Sequence, residues 1–407
     1  MPKTQSVFRK LVILALLISF LAVNSSNASA QTVSFVTDVT SKYQFGQQLE
    51  ITGQLLDING SGMVSLILQP EKQASRQISI TPQSDLSFQV KYDLTADPLQ
   101  PFSRIYYWFQ AEQADGTVTT SPSFWFDYFD NRYEWKTYSS KLFNIYWTGE
   151  DTNLGQVVND IAKNGLEKAT QILPVAPQVP ITIYVYPSLK SLQEGLSSSR
   201  QEWIAGHASP ELGVVLVSTS QDTDTTFDLE RQIPHELMHI LQYQVIGSDY
   251  DNAPAWLLEG LATSSETYPY PERDRALINA VEQGRLLPFS TLCQSFPLQA
   301  EQATIAYAQS VSFTDYIQQI YGSTIFENML SLSKTGLSCD QLVKQSTNLT
   351  LNKLTRNWLT TEYPGQKAVR TFPGITILYA FLAVVVVIGL FLLIREIHRK
   401  QSHELPS

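Results

Sequence analysis

Pro234-His235-Glu236-Leu237-Met238-His239-Ile240 spells H-E-x-x-H inside an otherwise apolar helical run. Residues four apart on a helix lie almost above one another, so His235 and His239 can present two imidazoles to one ion while Glu236 stands one step round. That spacing reads as a zinc hydrolase site. Catalytic zinc usually takes three protein ligands and leaves the fourth position to water, so a third ligand is expected elsewhere. Glu259, twenty positions beyond His239 in Pro254-Ala255-Trp256-Leu257-Leu258-Glu259-Gly260-Leu261-Ala262, is the candidate. Gly247 can end the first helix, Asn252 can cap a second and Pro254 suits its first turn, which lets the two helices fold back on each other. Pro234 either opens the metal helix or kinks one begun near Phe227.

A lone H-E-x-x-H arises by chance, and the second motif is what gives it weight. Of five histidines, only His207, His235 and His239 lie outside the C-terminal tail, so two of the three fall at ligand spacing. On these two motifs, over about residues 140 to 365, the chain resembles the gluzincin zinc peptidases, the clan of thermolysin and aminopeptidase N. It is most similar to the peptidase MA-like branch, in which a W-L-x-E-G-x-A helix follows H-E-x-x-H. The resemblance implies His235, His239 and Glu259 as zinc ligands and Glu236 as general base. It also implies an oxyanion-stabilising role for Tyr307 in Ala306-Tyr307-Ala308-Gln309-Ser310, against the plainer reading of a core tyrosine beside Val311 and Ile317. A further implication is a sheet edge that pairs with an extended substrate, assigned to Gly213-Val214-Val215-Leu216-Val217-Ser218. One departure stands out: thermolysin-like enzymes carry an Asp four residues after the Glu ligand to orient a zinc histidine. That position here is Thr263, which leaves a hydroxyl or a carbonyl to do so.

The ends of the chain predict export. Lys3, Arg9 and Lys10 precede the apolar run Leu11 to Val23, and Ala28-Ser29-Ala30 offers a small-x-small cleavage site, so residues 1–30 read as a signal peptide. Ile375 to Ile394 carries no charge over twenty residues and is long enough to cross a bilayer, which gives a transmembrane helix over 373–394 and a cytoplasmic tail over 395–407. Basic residues flank both sides of that run, so the signal peptide decides orientation and puts the body outside the cell membrane. A net charge of −10 argues against a nucleic-acid partner, which wants a basic face. Cys293 and Cys339 are the only cysteines, and in an oxidising compartment the pair suggests one disulfide worth on the order of 4 kcal/mol in the chain-entropy model.

Along the mature chain, period-two alternation at Val64, Leu66 and Leu68, at Ile78 and Ile80, and at Leu86, Phe88, Val90 and Tyr92 predicts half-buried strands. About seven such strands over 31–130 suggest an all-β immunoglobulin-like sandwich. The aromatic run Tyr106-Tyr107-Trp108-Phe109 fits a strand with two faces better than a carbohydrate platform. A short aromatic and charged boundary near Phe129 to Trp135 then opens an α+β domain over 131–370, a gluzincin-like peptidase fold with a mixed sheet and a helical lobe. Its expected elements are strands Phe143–Trp147 and Ile181–Tyr186, a helix Leu154–Leu173, and later helices Ala300–Tyr321, Ile325–Ser333 and Leu351–Tyr363. His207 reads as a polar residue near the sheet. Asp222, Asp224 and Asp228 lack the Gly and terminal Glu of a calcium loop. These features together predict a membrane-anchored extracytoplasmic zinc peptidase acting on a protein or peptide substrate. The alternative is a weakly active or inactive surface binding or adhesion protein on the same fold.

Overall fold

In Ser103–Gln113 every second residue faces inward: Ser103, Ile105, Tyr107, Phe109 and Ala111 are buried, while Tyr106 between them is 38% exposed. That alternation makes it a half-buried strand, and it organises the N-terminal part of the protein. The computed structural model describes residues 35–56, 61–113, 115–178, 180–196, 206–219, 225–268 and 270–365. The expected signal peptide, the membrane span over 373–394, the tail, and Asp222 and Asp224 lie outside the described residues. Among the described residues no helix is long and apolar enough to cross a membrane.

The chain divides into two compact units, with the main boundary at Glu134/Trp135 and the short stretch from Glu194 grouped with the first. The first holds β1 (Val36–Gln44), β2 (Gln48–Leu55), β3 (Ser61–Pro70), β4 (Arg76–Ile80), β5 (Ser87–Asp93), β6 (Ser103–Gln113), β7 (Val118–Thr120) and β8 (Phe124–Tyr128). One sheet has the order β1-β2-β5; the other runs β4-β3-β6, with β7 and β8 following one another along the far side of β6. All pairings are antiparallel. Ile51, Phe88 and Val90 from one sheet and Leu66, Ile105 and Phe109 from the other share a single core. Phe88 and Phe109 bridge the two layers with ring centroids 5.2 Å apart.

The second unit begins with a mixed sheet. Its strands are β9 (Lys136–Ser139), β10 (Phe143–Trp147), β11 (Ile181–Tyr186), β12 (Gly206–Ser209) and β13 (Val214–Ser218), in the order β12-β13-β11-β10-β9. The three central strands are parallel and both edges antiparallel. This order corrects the expected edge: Gly213–Ser218 supplies an interior strand, and β12 is the outer one. The physical reason is burial on both faces, since all five residues of β13 are buried and a continuous apolar run marks an interior strand.

Helices α1 (Leu154–Ile172) and α2 (Leu189–Leu196) connect the strands; α3 (Thr225–Ile246), α4 (Ala255–Ser265), α5 (Pro271–Glu282), α6 (Phe289–Leu292), α7 (Ala300–Tyr321), α8 (Thr324–Ser333), α9 (Cys339–Thr347) and α10 (Leu351–Glu362) follow them. The helical half closes around Trp256, Phe289, Phe313 and Trp358. Phe313 stands 5.1 Å from Trp256, 4.2 Å from Phe289 and 5.7 Å from Trp358, each pair adding about 0.5–1.5 kcal/mol beyond its burial. Cys293 and Cys339 are bonded to each other, and the Trp256 indole N–H points at the Cys339 sulfur.

Candidate metal centre

Helix α3 continues through Pro234. Proline has no backbone N–H, so the Glu230 carbonyl four residues earlier loses its helical donor. Thr267, just past α4, donates its N–H to that carbonyl at 3.3 Å, and the Ser265 hydroxyl donates to the Pro234 carbonyl at 2.8 Å. The proline therefore neither opens nor breaks the helix; it supplies acceptors that tie α3 to the end of α4. On the other side of α3, a Cβ at Gly165 of α1 would come within 2.7 Å of the Pro234 ring, so glycine permits that contact. Gly247 ends the region of α3 with φ +73°, as a left-handed stop should. Pro254, not Asn252, stands at the start of α4, and Asn252 belongs to the turn before it.

The two helices bring His235, His239 and Glu259 together. Glu259 Oε2 lies 3.4 Å from His235 Nε2 and 3.9 Å from His239 Nε2, and the three candidate ligand atoms fall within 4.8 Å of one another. Ligands about 2.0–2.1 Å from a tetrahedral zinc ion stand about 3.3 Å apart, close to this spacing. Glu259 Oε2 is also buried with no hydrogen-bond partner, an orphan acceptor that a cation would satisfy. The donor set and the orphan oxygen both fit zinc. Among the described residues this is the only such convergence of His, Cys, Asp and Glu side chains; His207 on β12 stays outside it.

What orients the histidines differs from the expectation at Thr263, whose hydroxyl has no partner. His235 Nδ1 meets Glu266 Oε1 at 3.1 Å, and Arg273 Nη1 donates to the other oxygen of Glu266 at 2.7 Å. Lys168 Nζ donates to the Glu266 carbonyl. A carboxylate seven residues past Glu259 thus takes the place of one four residues past it, because α4 ends at Ser265 and Glu266 turns back beneath His235. His239 Nδ1 instead faces Tyr250 Oη at 2.9 Å and Gln242 Oε1 at 3.0 Å, and Gln242 Nε2 donates to the Leu258 carbonyl at 2.8 Å. With Nδ1 engaged on both rings, each Nε2 is left for a metal.

The electrostatics follow these partners. Burial alone would lower His235, but the adjoining Glu259 and Glu266 carboxylates carry its imidazole up to about 10. Burial dominates at His239 and brings it down to about 4, with the Glu259 charge opposing. Burial pushes Glu236 up to about 7, against the pull of the His235 charge and of a hydrogen bond from the Ala208 N–H. Glu236 is 7% exposed and lies against the edge strand: a Cβ at Gly206 would come within 2.7 Å of Glu236 Oε1. Glycine at 206 is what allows that approach.

Tyr307 reaches the site from α7. Its hydroxyl hydrogen-bonds Glu259, its ring centroid lies 6.2 Å from that of His235, and the Arg273 guanidinium stands 5.5 Å from the ring. Gly260 makes this possible, since a Cβ there would meet the Ser310 carbonyl oxygen at 2.8 Å and hold α7 away. Arg273, Gln242, Tyr250 and the orienting role of Glu266 escaped the sequence reading. A position signal existed for Gln242, which lies three residues from His239 on the ligand's own helical face.

Residues 161–363 match the Peptidase MA superfamily. Among solved structures, an aminopeptidase N family protein from Idiomarina loihiensis aligns over 81% of this chain and 73% of its own, at 9% identity and TM-score 0.37. The M1 zinc metallopeptidase from Deinococcus radiodurans aligns over 77% of this chain and 88% of its own, at 13% identity and TM-score 0.27. No curated protein matches the chain. The matched stretch spans both ligand motifs and the lobe that carries Tyr307, and by that match the second unit of this chain belongs to the peptidase MA superfamily.

Proposed function

We propose that the protein is a membrane-anchored, extracytoplasmic zinc-dependent peptidase that hydrolyses peptide bonds in protein or peptide substrates. The observation that carries this reading is the convergence of His235, His239 and Glu259 on one point with Glu236 beside them. His235, His239 and Glu259 would hold the ion; when bound, zinc polarises a scissile carbonyl and acidifies water. Glu236, buried and raised towards neutrality, takes the proton of the attacking water and passes it to the leaving amine. Tyr307 is positioned to donate a hydrogen bond to the oxygen that gains charge. Glu266 fixes the His235 ring, and Tyr250 with Gln242 fixes that of His239. Strand β12 offers an extended backbone beside Glu236 along which a substrate strand can pair.

The export and anchoring parts of the proposal rest on the sequence of residues 1–30 and 373–394. We read the first unit, over 31–130, as an immunoglobulin-like spacer, a reading supported by its two antiparallel sheets and shared core. Metal analysis of the purified full-length chain, alongside cleavage of a denatured protein by wild type and Glu236→Gln, tests the function. One equivalent of zinc in both, with activity only in wild type, is expected. Equal activity in the two would overturn the assignment, and zinc without activity in either would favour a binding protein on this fold. Protease added to intact cells should digest the body and spare an epitope after Ser407; an epitope reachable from outside would reverse the topology.

A further inference from the structure

A cavity of about 590 Å3 opens between α5 and α7, on the far side of Glu266 from His235. Its lining sets four carboxylates, Glu266, Asp274, Asp315 and Glu362, against two bases, Lys168 and Arg273, which leaves a surplus of negative charge. Both bases already have partners, since Arg273 is paired with Glu266 at 2.7 Å and Lys168 donates to the Glu266 carbonyl. Asp315 keeps solvent contact through the cavity and accepts from the Ser264 hydroxyl at 2.8 Å, yet the surrounding burial raises its carboxyl. Thr263, 7% exposed, belongs to the same wall, and its hydroxyl has no hydrogen-bond partner.

The remaining wall is aromatic and aliphatic. Tyr270, Tyr316 and Tyr363 line it together with Leu277, Ile278 and Val311. Tyr270 already attracts cations, with the Arg231 and Arg273 guanidinium groups 5.2 Å and 5.1 Å from its ring. An anion placed here would face the carboxylate surplus, whereas a cation on an apolar stem finds carboxylates, ring faces and aliphatic side chains at once. The volume suits a small ligand. We propose that this cavity binds an alkylammonium or guanidinium group on a short apolar stem, carried either by a free amine or by a lysine or arginine side chain of a bound polypeptide.

The test is calorimetric titration of the full-length chain in neutral detergent at low ionic strength, in a Glu236→Gln background so that no peptide probe is consumed. A failure of the peptidase reading therefore leaves this result untouched. n-Butylammonium should bind saturably, and n-butanol and butyrate about tenfold more weakly or not at all. Replacing the exposed pair by Asp274→Asn with Glu362→Gln should weaken n-butylammonium about fivefold for each charge removed, the scale of one contact in a solvent-like dielectric. Asp315→Asn should act in the same direction, and Ile278→Trp, at an exposed wall position, should block binding. A hexapeptide with one lysine that displaces n-butylammonium, where its norleucine counterpart does not, identifies a polypeptide source; amine binding without such displacement identifies a free amine. Absence of saturable n-butylammonium binding at millimolar concentration, equal binding of n-butanol, or affinity unchanged by both the carboxylate and the Ile278 variants overturns the proposal.

Discussion

His235 and His239 share one turn of α3, yet the two flanks of the metal centre are built differently. The first ring leans on a carboxylate backed by a guanidinium, and the second on a phenol and an amide. Neighbouring carboxylates raise one imidazole to about 10, and burial lowers the other to about 4. Identical ligands a turn apart can thus carry different duties. The His235 flank sets charge and basicity, whereas the His239 flank sets orientation alone.

Four substitutions and a pH series test that division. Glu259→Ala should have the largest effect, because it leaves two ligands where a catalytic zinc site needs three; dialysis against a mild chelator should strip it of metal. Full retention would mean that the third ligand is another group. Glu236→Gln should hold zinc near one equivalent while turnover falls by roughly two to four orders of magnitude, the scale of a lost general base. Glu266→Gln should weaken zinc binding by about 10–100-fold, measured by competition with a fluorescent chelator.

Proton competition probes the same flank without a substitution. His235 is raised, so its proton stays on below about pH 10 and must leave before a metal can bind. Zinc affinity of the wild type should therefore strengthen as pH rises from about 6 to 9, by about tenfold per unit for one displaced proton. A flat profile would remove the charge asymmetry between the flanks. Tyr250→Phe should have the smallest effect, below about tenfold in zinc affinity, since Gln242 still holds the same nitrogen. If Tyr250→Phe costs as much as Glu266→Gln, the two flanks are equivalent and the comparison fails.

The parts of the site that could be read in the sequence are those fixed by local spacing. His235, Glu236 and His239 lie within one helical turn, and the expected helix Leu154–Leu173 is observed as Leu154–Ile172 because its apolar period is unbroken. The sheet order was less legible. Val214–Ser218 looks the same from the sequence whether it is an edge or an interior strand, and β12 is four residues, Gly-His-Ala-Ser, without a strand pattern. Glu266 was hidden for another reason. It sits beyond the end of α4, where its direction depends on how the chain turns and on Arg273 and Lys168 reaching it from other helices. Even Pro234, which the sequence marks as unusual, shows its use only once Thr267 is beside Glu230.

That proline has a consequence for how the protein comes apart. A typical helix completes its own ladder and can survive briefly without its neighbours, whereas α3 has one rung whose donor belongs to the chain after α4. The first two ligands and the third are thereby joined into a single cooperative unit. Loosening at the end of α4 frees a carbonyl in the middle of α3, and fraying of α3 releases the segment that positions Glu266. Loss of the metal and loss of the local fold should then be one event, so the temperature at which zinc escapes and the temperature at which these helices melt are coupled by the backbone itself.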